Sequence, residues 1–258
     1  LWVVDEKGDV RAKTKLAESD DFLNWDIPTI AVNDRLLILA YSMPISEFSS
    51  PEISAITGSF QSKPVGKTIM LAIDTSDENY PVTSKALFSD GTITDFEKQG
   101  DNIIALADVS SDIGVYRVDP DSLATDKLFT FGSASLEYAK KVITSGDNQY
   151  VILGFLDNYK TVDTKNQLLS FENEELDKPV INKKYLDSQM RGAFFDPDQS
   201  YSSFIVTFRS NGDMIDSIVE VSPTGASLTD AVQIGPHQYI GVGMAGKQGR
   251  RIAQYTLH

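Results

Sequence analysis

The chain contains no cysteine, so disulfide staples, thiolate nucleophiles and cysteine-ligated metals are all excluded. Only two histidines occur, His237 and the terminal His258, too few for a histidine-built zinc site. Long apolar runs are missing as well. The longest, such as the one around Leu36 to Tyr41, fall far short of the roughly 18 residues that cross a bilayer, and no basic-then-apolar leader opens the chain. Positive charge is also scarce. Lys and Arg total 23 against 37 Asp and Glu, a net charge of −14 that repels a phosphate backbone and argues against a nucleic-acid partner. No GxSxG elbow or Walker loop is present, so serine-hydrolase and nucleotide-triphosphatase chemistry finds no support.

What is present suits a folded chain. Hydrophobic residues make up 41% and charged residues 23% of 258, in the ordinary range for a globular protein. One domain spanning 1–258 is expected. The lack of cysteine leaves the compartment open, while the absence of Asn-x-Ser/Thr sequons and the start at Leu1 suit an excised or processed extracytoplasmic domain, periplasmic or secreted.

Two phrases recur along the chain. A short strand-forming run ending in an acid or Ser and a turn appears at LWVVDEKG, IMLAIDTSD, VYRVDPDS, LLSFENEE and SIVEVSPTG, with turn-entry residues Asp5, Asp74, Asp119, Glu172 and Ser222. A polar turn followed by a strongly apolar strand appears at VNDRLLILAYS, QGDNIIALAD, SGDNQYVILGF, DPDQSYSSFIVTF and KQGRRIAQYTL. Both marker sets keep the same rhythm, as expected of repeated units of four short strands, a to d.

This pattern resembles the five-bladed β-propeller superfamily in architecture. The resemblance implies an all-β fold of four-stranded blades, closed by pairing residues 1–16 with residues 236–258 so that no edge strand is left open. It also implies that the a–b and c–d turns share one face while the longer b–c and d–a loops share the other. The longest insert, residues 43–67, is Ser- and Pro-rich but carries Phe48 and Phe60 among other apolar residues, which suits either a loop covering blade edges or a lid or wall on that loop-rich face.

Several motifs have structural readings. Gly241, Gly243 and Gly246 form a GxGxxG, but too little chain follows for a βαβ unit, so close backbone approach is expected there and no cofactor. Asp196 and Asp198 lack the remaining ligands of a calcium loop and suit turn capping, so no metal is expected. The entrances of the five a strands are assigned Asp26, Asp95, Glu137, Arg191 and His237, with Trp25 beside the first. Crowded carboxylates there would split their pKa values and could do acid/base work.

The order Asp26, Asp95, Glu137 is similar to that of the family 43 glycoside hydrolases, and NWDIPTIAVNDRLLILAYS is similar to that family's first blade. The resemblance implies Asp26 as general base, Asp95 as modulator and Glu137 as general acid. Any five-bladed ring, however, presents polar residues at these entrances. The leading expectation is therefore a monomeric, non-catalytic propeller that binds a carbohydrate or another protein through Trp25, Phe48, Phe60, Arg191 and His237, with the hydrolase as the alternative.

Overall fold

The computed structural model describes residues 2–4, 6–13, 27–42, 67–109, 112–132, 136–145, 149–157, 201–220, 226–245 and 249–257. Among these residues every regular element is a β-strand, and no helix is long and apolar enough to cross a membrane. The strands form five antiparallel sheets. Sheet A pairs β1 (Trp2–Val4) with β2 (Val10–Lys13). Sheet B runs β3 (Thr29–Asn33), β4 (Leu36–Ser42), β5 (Thr68–Asp74), β6 (Val82–Phe88), and sheet C runs β7 (Thr92–Gln99), β8 (Asn102–Val109), β9 (Asp112–Val118), β10 (Thr125–Phe131). Sheet D holds β11 (Leu136–Ser145), β12 (Gln149–Asp157), β13 (Tyr201–Arg209), β14 (Met214–Glu220). Sheet E has three strands, β15 (Ala226–Gly235), β16 (Gln238–Ala245) and β17 (Gly249–Thr256).

Turn chemistry sets the hairpins. Asp34 and Arg35 join β3 to β4, with the Asn33 side chain accepting the Arg35 amide at 2.8 Å. Gly100, at φ 60°, and Asp101 join β7 to β8. At the β9–β10 turn Asp119 Oδ1 accepts the Ser122 amide at 2.8 Å and its hydroxyl at 2.7 Å.

Sheets B to E stack face to face in chain order. Ile38, Met70 and Phe88 of B meet Ile93, Ile103 and Tyr116 of C. The other face of C packs Ile104, Leu106 and Phe131 on Ile152, Phe204 and Phe208 of D, and the far face of D packs Val151 and Ile205 on Leu228 and Tyr239 of E. The middle strands are therefore covered on both sides, which is why β8, β12 and β13 read as continuous apolar runs rather than alternating ones. Each large side chain removed from water here contributes about 1.5–3 kcal/mol.

The first strand of each of sheets B to E carries a bulge, at Ala31/Asn33, Ile93/Asp95, Ala139/Lys141 and Leu228/Asp230. In two of them the bulged Thr donates to the neighbouring strand, Thr94 to the Leu106 carbonyl at 3.3 Å and Thr229 to the Val242 carbonyl at 3.2 Å. Sheets B to E are thus built on one plan.

That plan corrects the sequence expectation at two places. Residues 226–235, expected as the outermost strand of one blade, form the bulged first strand of sheet E, because Pro236 and His237 make a two-residue hairpin turn that pairs β15 with β16. Strand β12 pairs directly with β13 along nine residues, so the apolar strands assigned to consecutive blades are neighbours in one sheet. Both are apolar enough to be buried on both faces, and nothing in either run specifies which apolar neighbour it takes. The expected pairing of residues 1–16 with 236–258 is not made among the described residues: β1 and β2 pair with each other, and β17 pairs with β16 alone.

Candidate functional site

Of the expected site residues, Trp25, Asp26, Phe48, Phe60 and Arg191 lie outside the described residues, as do Asp196 and Asp198. Asp95, Glu137 and His237 are described, and they occupy three different environments.

Asp95 directly follows the β7 bulge and reaches across the seam between sheets C and D. Its Oδ2 accepts the Val142 amide of β11 at 2.9 Å and lies 3.2 Å from Lys141 Nζ, while its Oδ1 accepts Lys141 Nζ at 3.3 Å. Val142 and Lys141 follow the β11 bulge, so the two bulges face each other. Burial pushes the Asp95 carboxyl up to about 6, against the opposing pull of the Lys141 ammonium and the Val142 amide. Two residues on, burial also raises Glu97, again against Lys141 and the Thr144 amide.

A second carboxylate grips the same bulge. Asp108 Oδ1 accepts the Ala139 amide at 3.0 Å, so amides on both sides of the β11 irregularity end on acids of sheet C. Asp108 and Lys141 were not singled out from sequence, and only an anticipated pair of facing bulges would have pointed to them. The seam between B and C is tied by a hydroxyl and an ammonium that bind backbone groups instead. Thr68 Oγ1 donates to the Gly91 carbonyl at 3.0 Å and accepts the Ile93 amide at 3.1 Å, and Lys98 Nζ donates to the Val32 carbonyl at 2.8 Å.

Glu137 lies on β11 opposite Leu156 and is fully buried. Its neighbour Tyr138 stacks on Phe155 of β12, with ring centroids 4.8 Å apart, and Lys140 Nζ stands 5.7 Å from the Phe155 centroid. His237 is exposed in the β15–β16 turn at φ 56°, and its carbonyl accepts the Leu257 amide at 3.0 Å. It is a turn residue, not the entrance of a blade's first strand as the sequence suggested.

A family assignment would carry roles onto these residues. No protein-family model matches the chain. No curated protein matches it in sequence either. The chemistry at this point rests on the residues themselves.

Among the described residues no group of three or more His, Asp or Glu is placed to hold a metal ion. A surface depression of about 480 Å³ lies at the turn end of sheet B, lined by Asn33, Asp34, Arg35, Asp74, Ser76 and Thr83. Its main acid is already engaged: Asp74 Oδ1 accepts both the amide and the hydroxyl of Ser76, and these bonds hold its carboxyl below the usual range. Gly243, from the GxGxxG, lies in β16 opposite the β15 bulge, where a Cβ would run into the Ser227 carbonyl. Its close-approach role was legible in the sequence; its place in the second strand of a sheet was not.

Proposed function

We propose that this chain is a non-catalytic binding or interaction module of propeller type, acting outside the cytoplasm and engaging its partner through the loop-rich face. The observation that carries this reading is the engagement of Asp95, whose two carboxyl oxygens serve a backbone amide and a lysine of the neighbouring sheet. A general acid or base needs its proton within reach of substrate, and the full burial of Glu137 points the same way. The serial stacking of sheets B to E supports a blade-like arrangement. In the five-bladed form of the proposal, residues 1–16 add to the free edge of β17 and close the ring. A carbohydrate or a protein segment is the proposed ligand class.

The perturbed carboxyl of Asp95 favours one second reading, a glycosidase-like enzyme with Asp26, Asp95 and Glu137 as base, modulator and acid. One experiment separates the two. The purified chain is titrated with arabinan, xylan and fructan oligosaccharides by calorimetry and assayed for new reducing ends. Binding without turnover supports the module. Turnover abolished by Glu137→Gln replaces it with the enzyme, and neither binding nor turnover directs the search to protein partners by cross-linking. Protection of every β17 amide from exchange, rather than of alternate ones, is expected if the ring closes.

A further inference from the structure

We propose that the seam between sheets C and D is an acid-sensitive clasp, in which the Asp95, Glu97 and Lys141 cluster takes up a proton on acidification and loosens its hold on Lys141 while β7 and β11 stay joined. The cluster carries an imbalance of charge. Two carboxylates of one strand, Asp95 and Glu97, act on the single ammonium of Lys141. Asp95 is only 17% exposed and Lys141 24%, so bulk water does little to offset the excess negative charge.

The elements packed against β7 bring no further cation to the cluster among the described residues. On β11, Glu137 adds a buried acid and Lys140 is directed over the Phe155 ring. Asp108 of β8 adds a second carboxylate on the same bulge. Strands β3 and β4 contribute no acid or base beyond the Tyr41 phenol, which burial holds neutral. Lys98, on β7 itself, donates to the Val32 carbonyl of the other seam. A proton is the remaining means of balancing the cluster.

Uptake leaves the sheets joined because a neutral carboxyl still accepts the Val142 amide, whereas its attraction for Lys141 falls away. The seam between B and C, tied by the Thr68 hydroxyl, has no counterpart to this response. The direction follows from linkage. Asp95 is raised in the folded chain, so its contribution to stability is full below the ordinary carboxylate pKa and is lost as pH rises through about 6. Acidification therefore releases Lys141 and at the same time stabilises the fold.

The test uses the whole chain. In a proton–nitrogen titration the Val142 amide is expected to shift with a midpoint of about 6, with the Lys141 side-chain carbons following it. In Asp95→Asn the Val142 response disappears, and the melting temperature exceeds wild type by several degrees at about pH 7.5, with the gap clearly narrower at about pH 5 and closed only below the ordinary carboxylate pKa of about 4. An exposed control, Asp126→Asn, should leave the wild-type pH dependence unchanged, separating the clasp from relief of the overall negative charge. A Val142 midpoint in the ordinary carboxylate range near about 4 overturns the proposal. So does an Asp95→Asn protein that melts below wild type by the same margin at both pH values. The wild-type titration decides the matter even if that variant does not fold.

Discussion

The Thr68 hydroxyl and the Ile93 amide meet at 3.1 Å across the seam between sheets B and C, while the same hydroxyl donates to the Gly91 carbonyl at 3.0 Å. Thr68 and Ile93 are both buried, so neither backbone group has water to fall back on. Thr68→Val keeps the shape and removes both bonds. It is expected to lower stability by about 1–3 kcal/mol in urea unfolding, with Thr68→Ser retaining most of the wild-type value. Equal stability for Val and wild type would show that the hydroxyl does not tie the sheets.

Gly154 faces the β11 bulge as Gly243 faces the β15 bulge, and a Cβ at Gly154 would run into the Tyr138 carbonyl. The obstacle is backbone, which cannot rotate away. Gly154→Ala should cost at least about 1–3 kcal/mol, the range for overpacking, or prevent folding. Gly8, with positive φ and open space around it, gives the comparison: its Ala variant should lose only about 1 kcal/mol from backbone strain.

Asp119 is held below its usual range, chiefly by the amide and hydroxyl of Ser122. A depressed carboxylate contributes stability above its unfolded pKa and loses it as pH falls through the folded value. Asp119→Ala should therefore melt below wild type at neutral pH, and the two melting curves should converge as the pH is taken well below the ordinary carboxylate range. A constant gap across that range would assign the loss to packing instead.

His237 follows Pro236 in a two-residue turn and holds φ at 56°, a conformation that costs a residue with a Cβ. His237→Gly should leave stability unchanged or raise it by up to about 1 kcal/mol, whereas His237→Val should lower it. The same Gly variant tests the binding reading. Loss of ligand affinity in a fully stable protein would mark the imidazole as a contact, and unchanged affinity would leave it as a turn residue only.

The strands themselves were legible in the sequence, because their signals are local. The apolar runs at Ile38 to Tyr41, Ile103 to Ala107 and Tyr150 to Leu156 are core strands, and the Asx and Gly turns at Asn33, Asp74, Gly100 and Asp119 end or begin strands where expected. Sheets B and C follow the a, b, c, d order read from the repeats. Asp95 lies in the first strand of its sheet, as the repeats implied, but its setting was not legible.

Partner choice was decided by tertiary structure. Strand β12 could accept any sufficiently apolar neighbour, and it took β13, whose Asp157↔Tyr201 pairing begins a register no local pattern specifies. Strand β15 became a first strand because its bulge and the Pro236–His237 turn fit that place. Period and turn residues act over a few positions, whereas pairing and burial depend on segments far apart in the chain. The environment of Asp95 belongs to the second kind: an acid in TITDFEKQ has no partner until β11 packs across it, and the proton affinity that follows is a property of the seam.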